Sequence, residues 1–165
     1  PISREVLADT ETPVSAYLKV RSGSPYAFLF ESVVGGEKIG RYSFLGVAPF
    51  LIFRSRGSHI EIEDVKTGEQ RVFDGEPIAE LRKLLKQYQA ADVDGMPRFT
   101  GGAVGYVSYD AVRLIERIPE SVDDDLDLDD VLLLFFDTLL AFDNVTHKIQ
   151  LIENGVAYQS LHLFR

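Results

Sequence analysis

Residues 26–46, YAFLFESVVGGEKIGRYSFLG, carry two apolar, aromatic-rich runs on either side of the pair Gly35-Gly36. Val, Phe, Tyr, Leu and Ile dominate both arms, a composition that favours strands. The residues around the glycines, Gly35 to Ile39, suit a short hairpin loop. Segments 26–34 and 40–48 are therefore expected to be paired antiparallel neighbours. Two polar interruptions break the arms: Glu31-Ser32 in the first, and Arg41 with Ser43 in the second. A carboxylate and a cation in strands this apolar need partners wherever they are buried. That conflict between pattern and polarity makes the hairpin the first place to look for function.

Working outward, Pro49 interrupts the apolar run and Phe50 to Arg54 resumes it. Gly57-Ser58 turns the chain. His59 to Val65 then alternates Ile60 and Ile62 with Glu61 and Glu63, the mark of a half-exposed strand. Lys66 to Glu69 turns again and Gln70 to Phe73 returns, completing an antiparallel meander. Further on, VLLLFFDTLLAF at 131–142 is read as one apolar strand, with Asp137 and Thr138 near its centre. Asp143 to Thr146 turns it into a hairpin with 147–153. Thr12 as N-cap and Pro13 at the first position start a helix at about 13–21. Pro77 starts a second, at 77–89, whose stripe is Ile78, Leu81, Leu84, Leu85 and Tyr88. Asp110 to Glu116 suits one or two helical turns. Asn154 is placed to cap a final amphipathic helix bearing Val156, Leu161 and Leu163. Residues 1–11 are polar, with scattered Ile2, Val6 and Leu7, and receive no element. The expected fold is α+β: antiparallel strands in a curved sheet or two packed sheets, with peripheral helices.

The bulk composition excludes several classes. A chain of 165 residues with 45% hydrophobic and 26% charged content is an ordinary globular domain. It has no Cys, so disulfides and thiolate metal sites are excluded. No apolar run approaches a membrane span, and the N-terminus lacks a secretory h-region, so the expected compartment is the cytoplasm. The net charge is −9. Much of it lies between Glu116 and Asp130, read as a solvated loop rather than a cation site. No basic patch stands out, which argues against nucleic acid.

Few motifs carry chemistry. Gly101, Gly102 and Gly105 lack the Lys-Ser/Thr of a P-loop and the spacing of a dinucleotide fingerprint. They are read as a bulge or a close backbone approach within a strand. His59, His147 and His162 are scattered without metal-ligand spacing, so no metal ligand is assigned. No nucleophile–base arrangement is present, and no residue is assigned a catalytic role. Asp137 is read as structural, bonded to turn or backbone donors. Glu31-Ser32 has two readings. Strand alternation turns one of the pair to solvent, or the pair forms a small polar pocket between the hairpin arms. In the second, Glu31 takes an ammonium group, and Phe30, Tyr42 and Phe44 supply apolar walls suited to an amino acid with a flat side chain.

Several runs together resemble the N-terminal region of anthranilate synthase component I. They are ETPVSAYLK at 11–19, LFES at 29–32, GGEKIGRYSFLG at 35–46, FTGGAVGYVSYDAVR at 99–113 and FFDT at 135–138. The resemblance covers nearly the whole chain. It implies a family that converts chorismate to anthranilate with magnesium, using ammonia from a glutamine amidotransferase subunit. It also implies that residues 1–165 form an N-terminal domain packed against a separate chorismate-binding domain. The catalytic residues and the magnesium-binding carboxylates belong to that other domain, so this chain alone is expected to be inactive. In the family the Leu-Glu-Ser run contacts L-tryptophan, the feedback inhibitor. It matches Leu29 or Phe30, Glu31 and Ser32, with a further contact falling near Arg41, Tyr42 or Ser43. The architecture is shared by aminodeoxychorismate synthase component I, the first alternative. A free-standing β-rich module that grips a small ligand is the second.

Overall fold

The structure is a computed structural model that describes residues 1–31, 40–89, 91–119 and 126–155. The expected hairpin loop at 35–39, Ser32, the centre of the acidic run and the final helix after Asn154 lie outside the described residues. Among the described residues ten strands form two antiparallel sheets of five, the second of the two arrangements expected.

The first sheet contains β1 (Ile2–Leu7), β2 (Ala27–Phe30), β3 (Tyr42–Val47), β9 (Thr138–Asp143) and β10 (Lys148–Glu153), in the order β1-β10-β9-β3-β2. The two arms flanking Gly35-Gly36 are indeed neighbours, with Ala27 opposite Val47 and Phe30 opposite Phe44. The second sheet holds β4 (Leu51–Arg56), β5 (His59–Asp64), β6 (Glu69–Asp74), β7 (Gly102–Val107) and β8 (Val131–Phe136), in the order β6-β5-β4-β8-β7. The β4-β5-β6 meander is the one that alternation predicted. Pro49 marks the point where the chain leaves one sheet for the other.

Two expectations need correction. The run 131–142 is not one strand. It splits at Asp137 into β8 and β9, which belong to different sheets, and only β9 pairs with β10. Both halves are apolar on both faces, so periodicity could not show the crossing. Residues 1–11 do contain a strand. All six residues of β1 are exposed, and backbone pairing to β10 holds it, so it leaves no hydrophobic pattern to read.

Each sheet has a helix against one face. α1 (Pro13–Val20) begins with a capping box, Thr12 accepting from the Ser15 N–H and Ser15 reciprocating. Its Ala16 is buried against Leu45, Phe142 and Ile149. α2 (Pro77–Leu85) is capped by the Glu76 carboxylate, which accepts from the Ile78 and Ala79 N–H groups. It stops before the expected residue 89. Leu84 is buried with Leu51, Phe53, Ile60, Val131 and Phe135, the larger core. Tyr88, beyond the helix, still packs on Phe50 at 5.2 Å between ring centroids. The expected turns after Asp110 appear as a 3-10 helix, Tyr109–Leu114. Among the described residues no helix is long and apolar enough to cross a membrane.

The sheets meet where β8 becomes β9. Phe28, Val104, Phe136 and Leu139 are buried together there. Arg54 of β4 donates to the Tyr26 hydroxyl at 2.5 Å, a second tie between the layers.

Candidate functional site

Among the described residues β2 lies at the edge of its sheet. Side chains alternate along a strand, and the register puts Phe28, Phe30, Tyr42 and Phe44 on one face. On that face Phe99 packs edge-on against Phe44, at 5.4 Å, and lies 6.4 Å from Phe28. Phe28 in turn contacts Phe30 at 5.0 Å and Phe136 at 4.9 Å. Phe44 continues to Tyr42 at 5.9 Å. This aromatic row ends in an open cleft of about 390 Å³ lined by Leu29, Phe30, Glu31, Tyr42 and Phe44. Glu31 is the charged member of that lining and follows directly on β2. Phe30 is 53% exposed, an unusual position for a ring of that size, and it forms a ready apolar wall.

The other arm enters β3 under tight control. Both Nε and Nη2 of Arg41 donate to Asp143 Oδ2, at 3.2 and 2.7 Å. Asp143 Oδ1 accepts from the N–H groups of Val145 and Thr146, at 3.0 and 3.2 Å. Burial alone would push the Asp143 carboxyl up. The Arg41 guanidinium and the two backbone N–H groups outweigh burial and hold it down at about 2. Arg41 also lies over the Tyr42 ring, 5.0 Å from its centroid. Asn144 completes the arrangement. Its N–H donates to the Arg41 carbonyl at 2.8 Å, and its Nδ2 donates to the Gly40 carbonyl at 3.1 Å and to Ser43 Oγ at 3.2 Å.

Sequence comparison places this geometry among known proteins. Anthranilate synthase component 1 of Acetivibrio thermocellus is 38% identical over 154 residues, which cover 93% of this chain. That of Pseudomonas putida is 41% identical over 156 residues, covering 92%. The chain is related to the N-terminal region of anthranilate synthase component I. It spans 31% of the length of these two relatives. The crystal structure of anthranilate synthase component I from Streptococcus pneumoniae TIGR4 matches with a TM-score of 0.59, over 91% of this chain and 31% of that one. At 22% identity that match establishes the fold. No protein-family model matches.

The residues singled out from the sequence fall in different places. Phe30, Glu31 and Tyr42 come together at the cleft. Arg41 is half-exposed beside it, engaged by Asp143. Ser43 is fully buried, and its hydroxyl accepts from Asn144, so it faces the interior rather than the cleft. Ser32 lies outside the described residues. Asp143 and Asn144 were read only as a turn. Their partners lie about a hundred residues away in sequence, a pairing that composition does not announce.

The remaining motifs are structural. Asp137 is not deeply buried. It takes an ion pair from Lys66 at 2.8 Å and a hydrogen bond from Thr138, while its carbonyl accepts from the Asn154 N–H. The glycine run is a close backbone approach: a Cβ on Gly105 would lie 1.9 Å from the Leu132 carbonyl oxygen, and one on Gly101 2.4 Å from Asn154 Nδ2. In the acidic run, Asp130 accepts from the Gly57 N–H at 2.7 Å and Asp127 pairs with Arg56. Among the described residues no three His, Asp or Glu side chains gather to hold a metal ion.

Proposed function

We propose that residues 1–165 are the tryptophan-sensing domain of an anthranilate synthase large subunit. That cytoplasmic subunit converts chorismate to anthranilate and pyruvate, with ammonia from a glutamine amidotransferase subunit and with magnesium bound by a separate catalytic domain. The observation that carries the reading is Glu31, set among Leu29, Phe30, Tyr42 and Phe44 at the mouth of the aromatic row. A carboxylate there supplies a charge-assisted acceptor for the ammonium of an amino acid. The ring faces supply stacking surface for an indole. Ser32, next in sequence, carries a hydroxyl that can both donate and accept. Inhibition then requires that tryptophan bind the inactive arrangement of the subunit better than the active one.

Inhibition curves for the subunit test this, each variant measured against its own uninhibited rate. Glu31→Gln removes the charge that meets the ammonium, and Ser32→Leu removes a hydroxyl and adds bulk. A lost hydrogen bond to a charged group costs about 1.5–3 kcal/mol. Both variants are expected to raise the inhibitory tryptophan concentration at least about tenfold. Unchanged inhibition with a lowered melting temperature in both variants would remove the pocket assignment.

A further inference from the structure

The cleft has a wall that is tied to a part of the chain far from it in sequence. Tyr42 lines it, and Arg41 stacks on Tyr42. The turn between β9 and β10 engages Arg41, through the paired donation to Asp143 Oδ2. The same turn grips the backbone on either side: Asn144 reaches the carbonyls of Gly40 and Arg41 and the buried hydroxyl of Ser43. Asp143 is 7% exposed, with both oxygens occupied, so the turn is a finished structure rather than a loop awaiting a partner.

We propose that Asp143 and Asn144 are positioning residues for the cleft: they set the entry of β3 and, through Arg41, the orientation of Tyr42, and so govern ligand affinity without touching the ligand. This rests on the tryptophan reading of the cleft. A ligand that meets a fixed wall loses less freedom on binding than one that must order it. The turn therefore presets affinity from the same end of the sheet, across β3 from the cleft.

Asp143→Asn isolates the Arg41 arm. The amide oxygen can still accept from Val145 and Thr146, but an NH₂ group now faces the guanidinium, two donors with no acceptor between them. Asn144→Ala keeps the N–H bond to the Arg41 carbonyl but removes the Nδ2 bond to the Gly40 carbonyl and leaves the Ser43 hydroxyl without its donor. In the subunit we expect each to raise the inhibitory tryptophan concentration by at least about fivefold, measured against its own uninhibited rate. The Arg41→Met/Asp143→Asn double variant should be no worse than Arg41→Met alone, because both act through one contact. Phe53→Leu, in the core of the other sheet, is the control for a general loss of stability.

Glu31→Gln is run in parallel to separate the two readings. Inhibition unchanged in Glu31→Gln removes the cleft reading and this inference with it. Inhibition lost in Glu31→Gln but kept in both Asp143→Asn and Asn144→Ala leaves the cleft and overturns the positioning role. Equal loss in Phe53→Leu at the same melting temperature, or additive losses in the double variant, also overturns it. If one turn variant fails to fold, the other decides.

Discussion

Among the described residues Asp143 has a titration that the fold controls strongly. Its folded carboxyl titrates at about 2, below the ordinary aspartate value of about 3.9. The depressed value means the carboxylate form is favoured by folding. Its contribution is therefore full above about pH 4 and fades as the pH falls through about 2. Asp143→Asn should lower the unfolding free energy by about 2 kcal/mol at neutral pH. The gap between parent and variant should close on acidification across that window, as read from urea melts at several pH values. A gap that stays constant down to pH 2 would mean that the carboxylate is not held by Arg41. Gly105 makes a second prediction at this scale. A methyl group there would overlap the Leu132 carbonyl oxygen, which is backbone and cannot swing aside. Gly105→Ala should cost about 3 kcal/mol or more, seen as a loss of soluble protein or a large fall in melting temperature. A variant as stable as the parent would show that β7 and β8 can move apart. The glycine spacing had argued for a bulge or a close backbone approach over a phosphate cradle, and the Leu132 carbonyl is what Gly105 approaches.

The elements were legible in proportion to how much of their pattern is local. Thr12-Pro13 and Pro77 marked both helix starts because capping is a matter of adjacent residues. Ile60 and Ile62 marked β5 because one face of it is buried and the other meets solvent. β1 was invisible because an exposed edge strand is held by backbone hydrogen bonds that any sequence can make. The β8–β9 crossing was invisible because both strands carry apolar residues on both faces, and Asp137 looked like an interruption rather than a boundary. Lys66 pairs with Asp137 at that boundary, but its side chain is 69% exposed. Surface pairs of this kind contribute about 0–1 kcal/mol, so Lys66→Ala should scarcely change a urea melt. A large loss would mean that the ion pair, rather than Phe136 and Leu139, holds the crossing.

At the scale of the molecule, Phe30, Glu31 and Tyr42 were legible as a candidate site because polar residues interrupt an aromatic hairpin. Arg41, read as a candidate contact, proved to be tied to Asp143, and Ser43 proved to be buried. Only the assembled first sheet brings β9 and β10 to them. The chain spans under a third of its relatives, and the proposal assigns catalysis to the remainder. The 165-residue chain alone should therefore give no anthranilate from chorismate, magnesium and ammonia, and measurable turnover would place the chemistry here. It contains no Trp, so the fluorescence of added tryptophan reports binding without indole emission from the protein. The most direct measurement of the central claim is a crystal structure of the subunit grown with tryptophan. The account predicts the ligand's ammonium within hydrogen-bond distance of the Glu31 carboxylate, with its indole against Phe30, Tyr42 or Phe44. Tryptophan bound elsewhere, with the cleft holding only solvent, would contradict it.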